Sequence, residues 1–111
     1  MNRCQKNCNP GNLRFAGQKE ATGQDDKGFA IFPNAPAGFR ALFKQIELDR
    51  DRGLTLQEFI HKYAPENENN TSNYLNFVST QLASKPDTFL SKISKYCLAA
   101  VIAQMEGYFA V

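Results

Sequence analysis

From residue 36 onward the apolar residues recur with a helical period. Phe39, Leu42, Phe43 and Ile46 stand at i, i+3, i+4 and i+7, which predicts one apolar stripe on a helix over about 36–51. Leu56, Phe59, Ile60 and Tyr63 repeat that spacing, and the repeat stops before Pro65, because the residue preceding a proline is pushed out of helical geometry. After the polar connector ENENNTSN, Leu75, Val78 and Leu82 predict a third helix with Thr71 or Ser72 as its cap. Pro86 and Asp87 mark the start of a short fourth helix carrying Phe89, Leu90 and Ile93. The last segment, YCLAAVIAQMEG, differs, since apolar residues occupy nearly every face between Tyr96 and Met105. Such a helix belongs at the centre of a bundle.

The amino-terminal quarter carries no such period. Residues 1–27 are rich in Asn, Gly, Gln and Lys, with the turn signal NPGN at 9–12, and they predict loop with a short strand at Leu13–Phe15. Residues 1–8 read as a flexible segment. GFAIF at 28–32, apolar and followed by proline, predicts a second strand, so that the two form a small hairpin. A chain of 111 residues supports one modest core. The expected fold is therefore mainly α (α+β): a single helical domain over 1–111 with a small N-terminal β hairpin.

One stretch imitates a calcium loop. LDRDRGLTLQEF alternates acids before a glycine, but a calcium loop needs glycine at its sixth position and glutamate at its twelfth. With Glu58 twelfth, Arg52 takes the glycine's place; with Gly53 sixth, Leu48, Arg50, Arg52 and Phe59 fall on ligand positions. Neither frame coordinates a cation. Thr55-Leu56-Gln57-Glu58 is instead a capping box, a device that stabilises a helix by about 1 kcal/mol. Gly53 then ends the preceding helix in a left-handed conformation, and the charged run becomes its solvated last turn.

Composition narrows the chemistry. Hydrophobic residues at 42% and charged residues at 22% fit a soluble globular protein. The net charge of +2, without a Lys/Arg cluster interleaved with aromatics, gives no reason to expect nucleic acid. Neither a secretory signal nor a transmembrane run is present, so no integral membrane association is expected. Cys4, Cys8 and Cys97 are an odd set with a single histidine, His61. They predict two surface thiols near the terminus and one buried one, with no zinc site. No metal and no cofactor are expected.

With one histidine placed mid-helix, and no phosphate loop, G-x-S-x-G or H-E-x-x-H motif, nucleophilic hydrolase chemistry lacks its parts. The most suggestive acid is Glu106, at the end of the most apolar helix and beside Gly107. It is either held there or simply exposed where the glycine breaks the helix.

NPGNLR, GFAIF, GFRAL, GLTLQEFIHKYAP, ENNTSNY and the terminal IAQMEG resemble, in order, a family of small phage and prophage proteins. Its members look like N-N-P-G-N-I-R, G-F-x-x-F, G-x-R-A-L, G-x-x-T-I, W-A-P, E-N-x-T-x-x-Y and A-I-x-x-x-E-x-G. The likeness runs from Asn7 to Gly107, with Cys8 in place of a polar residue, Tyr63 in place of tryptophan and MEGY in place of ENG. That family is described as virion structural or lysis-associated. A second likeness is to lysozyme-like peptidoglycan hydrolases, whose catalytic glutamate helix would stand here at the other end of the chain, as after circular permutation.

These resemblances imply a phage-type peptidoglycan-degrading glycosidase or lytic transglycosylase, acting on the glycan strand with Glu106 as general acid, its pKa raised by apolar surroundings. Glu106 and the NPGN turn would then face each other across a cleft. Glu68 is the leading second carboxylate, with Glu20, Asp25 and Asp26 as others. Asn9, Asn12, Arg14, Arg40, Asn69 and Tyr74 are the substrate-binding candidates, with Tyr63 as a further stacking face. Local readings stand beside them: turn chemistry for the asparagines, core packing for Tyr74 and an ion pair for Arg40. The alternatives are a non-catalytic virion or assembly protein that binds other virion proteins, and an inhibitor or adaptor of a host protein. The expected location is the virion, or the host cytoplasm with release to the periplasm.

Overall fold

A computed structural model of the chain describes residues 1–109. Its elements run α1 (Arg3–Lys6), β1 (Gly23–Gln24), β2 (Ala30–Ile31), α2 (Ala35–Asp51), α3 (Leu56–Tyr63), α4 (Thr71–Leu82), a 3-10 turn (Leu90–Lys92) and α5 (Lys95–Glu106). The protein is mainly helical with a two-stranded antiparallel hairpin. No helix among the described residues is long and apolar enough to cross a membrane.

The helical stripes close on one another. Leu42 and Ile46 of α2, Phe59 and Ile60 of α3, Val78 of α4 and Leu98 and Ile102 of α5 belong to one buried cluster. Each such side chain contributes about 1.5–3 kcal/mol when fully buried. A smaller cluster of Ala30, Phe32 and Ala37 joins the hairpin to the start of α2. α5 packs against α2 and α4, but it is not enclosed: Tyr96, Cys97, Ala100 and Gln104 leave one side exposed. The expectation of a helix apolar on nearly every face, buried at the centre, is corrected accordingly.

Capping residues set the boundaries. Asn34 accepts from the Ala37 amide at the start of α2. Thr55 and Glu58 form the expected box at α3, with Glu58 Oε1 accepting from the Thr55 amide at 2.8 Å. Gly53, at φ 78°, ends α2 in the left-handed region as expected. The cap of α4, however, is Asn70 and neither Thr71 nor Ser72. Thr71 is buried, and its hydroxyl donates to the Ala64 carbonyl just beyond α3.

Several local expectations give way to long-range contacts. The first eight residues were expected to be flexible, yet they hold α1, whose capping box pairs Asn2 with Gln5 and which buries Cys4. Asn2 Nδ2 donates to the Gly107 carbonyl at 2.8 Å, and Gln5 Nε2 to the Tyr108 carbonyl at 3.0 Å. The chain's two ends are thereby bonded. The cysteine expectation reverses: Cys4 is buried, Cys97 is exposed, and all three are free thiols.

The strand expected at Leu13–Phe15 is reduced to one bridge, Arg14 to Phe29, while the hairpin pairs Gly23 with Ile31 and Gln24 with Ala30. Asp25 explains the shift, since its Oδ1 accepts from the amides of Lys27 and Phe29 and closes the turn between them. The fourth helix is only the 3-10 turn. Its approach is bonded to the chain before and at the start of α3, Leu56 N to Thr88 O at 2.8 Å and Leu90 N to Leu54 O at 3.0 Å, and that pairing uses groups an α-helix would need.

The charged run in the last turn of α2 is not wholly solvated either. Asp49 is 1% exposed and accepts from Lys62 Nζ at 2.8 and 3.0 Å, Arg52 Nη1 at 2.8 Å and Gln45 Nε2 at 2.9 Å. Burial pushes its pKa up, but the bonds from Lys62, Gln45 and Arg52 outweigh burial, and the net direction is down from 3.8. Stability from this group is therefore fully present above the unfolded value and lost as pH falls through the lower folded one. Asp49→Ala is expected to cost about 2 kcal/mol in chemical denaturation, in line with hydrogen bonds to a charged group. In melting curves against pH, Asp49→Asn should flatten the acid limb below 3.8 relative to wild type; an unchanged limb would count against this role.

Candidate functional site

Segments far apart in sequence meet at an open cleft of about 620 Å³. Gly11 and Asn12 come from the turn, Lys27 and Phe29 from the hairpin, Tyr63 and Ala64 from the end of α3, Glu68 and Asn69 from the connector and Glu106 from the end of α5, with Arg3 and Arg14 completing the lining.

The turn is fastened before it reaches the cleft. Asn9 is fully buried; its Nδ2 donates to the carbonyls of Leu13 and Ala30, and its Oδ1 accepts from the Leu13 amide, all at 2.9 Å. The Tyr63 hydroxyl donates to the Gly11 carbonyl. On α2, Gly38 lies so close to the Cys8 carbonyl that a Cβ there would collide with it. These contacts hold Asn12 at φ 48°, a left-handed conformation that asparagine tolerates better than most residues.

From that position Asn12 Nδ2 donates to Glu106 Oε1 at 2.9 Å, and the Tyr74 hydroxyl donates to Glu106 Oε2 at 2.7 Å. Both carboxyl oxygens are thus held by uncharged donors, and Glu106 forms no salt bridge among the described residues. It is the last residue of α5, just before Gly107 in the left-handed conformation. Burial, then the charge on Glu106, pushes the Tyr74 phenol far above its ordinary range. The same two causes, in the same order, act on Tyr63. Both tyrosines therefore stay protonated and keep donating.

The cleft also carries cations. The guanidinium carbons of Arg3 and Arg14 each lie 4.6 Å from the centre of the Phe29 ring. Arg14 Nη2 pairs with Glu68 Oε1 at 3.0 Å, and its Nη1 donates to the Lys27 carbonyl at 3.1 Å. Arg3 Nε lies 3.3 Å from Asp25 Oδ2.

Of the residues expected from sequence, the cleft brings together Glu106, Asn12, Arg14, Glu68, Asn69 and Tyr63. Three others do not line it. Asn9 spends its side chain inside the turn. Arg40 lines a separate cavity of about 430 Å³ and is bidentate to Glu20, at 2.7 Å for both bonds. Tyr74 is buried behind Glu106 and acts through it. Glu20, Asp25 and Asp26 are likewise absent from the lining. Arg3, Lys27 and Phe29 were not foreseen: Arg3 fell in the segment read as flexible, Lys27 in the stretch read as loop and Phe29 in the expected strand at 28–32.

No protein-family model matches the chain, and no curated protein matches it. Among the described residues no group of three or more His, Cys, Asp or Glu is placed to hold a metal ion. What the described residues form is a small helical domain with a polar cleft at Glu106. The description as a bacteriophage virion protein, or as a lysozyme-like protein of the bacterial cell wall, is corrected to that.

The Glu106 contacts make a stability prediction. Asn12 Oδ1 is buried without a partner, so in Glu106→Gln the Asn12 amide can turn over and accept from the new amide while Tyr74 still donates. That variant should melt close to wild type. Tyr74→Phe and Glu106→Ala each strand a polar group, and each should lose about 1–2 kcal/mol by urea denaturation. Equal losses in all three would contradict this bonding scheme.

Proposed function

We propose that the cleft binds a glycan containing N-acetylated amino sugars and that Glu106 cleaves its glycosidic bond as general acid. The observation that carries this reading is the Glu106 carboxyl, oriented by Asn12 and Tyr74 and opening onto a cleft of about 620 Å³, a size that suits a small ligand. Tyr63 and Phe29 in the lining offer ring surface to sugar faces, and Asn69 offers an amide to hydroxyl or acetamido groups.

The step balances with a single acid. Glu106 gives its proton to the glycosidic oxygen, the bond from that oxygen to the anomeric carbon breaks, and positive charge develops on the ring. Water then attacks the anomeric carbon and returns a proton to the Glu106 carboxylate. Alternatively a hydroxyl of the same sugar attacks, returns the proton and leaves an anhydro sugar. Glu68, paired with Arg14, is the other carboxylate among the described residues of the lining, and the anhydro route does not need it.

A second reading, a non-catalytic binding or assembly protein, is favoured by one feature: both Glu106 oxygens already bond within the protein and tie α4, α5 and the turn together. The two readings separate on soluble β-1,4-linked N-acetylglucosamine oligomers followed by mass spectrometry. Catalysis predicts shorter products from wild type and a drop of about a hundredfold or more in Glu106→Gln, with melting unchanged. Binding of the oligomer without any turnover by wild type would give the second reading its place.

A further inference from the structure

The glycan reading leaves three cations unexplained. A neutral sugar chain needs none, yet Arg3, Arg14 and Lys27 all line the cleft beside Phe29. Like charges gathered in one place repel, and their partners only partly compensate. Arg14 is engaged by Glu68 and by the Lys27 carbonyl. Arg3 Nε lies 3.3 Å from Asp25 Oδ2, and the Lys27 ammonium is in no salt bridge among the described residues. Arg3 and Lys27 are both exposed and line the cleft.

We propose that Arg3, Lys27 and Arg14, grouped about the Phe29 ring, form a subsite for a carboxylate carried by the bound sugar chain, separate from the bond-cleaving Glu106. The stacking of both guanidinium groups on Phe29, each at 4.6 Å, restricts their motion before ligand arrives. A guanidinium presents its N–H groups as a planar fork that matches the two oxygens of a carboxylate. Lys27 adds a point charge without demanding a geometry. Glu68 serves as the internal stand-in, keeping Arg14 oriented at 3.0 Å until a ligand carboxylate shares it.

This inference rests on the glycan reading, and one titration separates the two. On Glu106→Gln protein, calorimetry compares the neutral β-1,4-linked N-acetylglucosamine tetramer with the same tetramer oxidised at C6 to carry carboxylates. The expected result is binding of both, about tenfold tighter for the oxidised one, as charge-assisted hydrogen bonds imply, with the preference shrinking at high salt. Lys27→Ala should reduce the preference while leaving affinity for the neutral tetramer within about twofold. Equal affinity for the two tetramers overturns the subsite and leaves the glycan reading standing. Binding of neither overturns both. Inorganic phosphate binding tighter than the oxidised tetramer would also overturn it, by showing a site for free anions.

Discussion

The carboxyl group of Glu106 is the point at which three otherwise independent parts of the chain are joined. α5 supplies the acid, the turn at 9–12 supplies Asn12 and α4 supplies Tyr74. A carboxyl with two directed donors has little freedom to turn, and each donor is itself held. Tyr74 is held by the core around it, and Asn12 by the Asn9 bonds, the Tyr63 hydroxyl and the close approach of Gly38 to Cys8. The site is thus rigid for the same reason the fold is: its polar atoms bond to one another through residues packed in the apolar core.

That arrangement accounts for the amino terminus as well. α1 is a single capped turn, too short to be stable alone, and what keeps it in place is its bonding to Gly107 and Tyr108 at the far end of α5. The same docking brings Arg3 to the cleft, next to Phe29. Cys4 goes into the interior as part of it, and burial followed by the charge on Glu106 raises its thiol pKa. Asp49 performs the equivalent service at the other end of α2, where its bonds to Lys62 and Arg52 fix the angle at which α3 leaves. α3 in turn carries Tyr63 to the turn. The two polar nodes are thereby linked through one helix.

How much of this was legible follows from the range of the interactions. Helices α2, α3 and α5 were readable because apolar spacing and caps are local, repeating within a few residues. Glu106 was readable as an acid in unusual company, and Asn12 as part of a turn. The placement of Asn9, Arg40 and Tyr74 was not, because an asparagine inside a turn, an arginine on a helix and a tyrosine on a stripe look alike whether they face a ligand, an ion-pair partner or the core. The 86–93 segment was misread for a related reason: its proline and apolar residues suit a helix, but backbone pairing with residues around Leu54 and Leu56 claims the groups a helix would use.

By itself the sequence determined a mainly helical domain, its helix boundaries to within a residue or so at several caps, and the capping box that opens α3, since each depends on residues a turn or two apart. Only the tertiary structure decided that Asn2 meets Gly107, that Arg3 and Arg14 flank one aromatic ring, and that Glu106 is gripped from both sides. Those contacts reach well beyond a helical turn, Asn2 standing 105 residues from Gly107, Asn12 94 from Glu106 and Tyr74 32 from Glu106, and no local period or spacing encodes them. They arise when the apolar stripes pack and carry their polar neighbours into register.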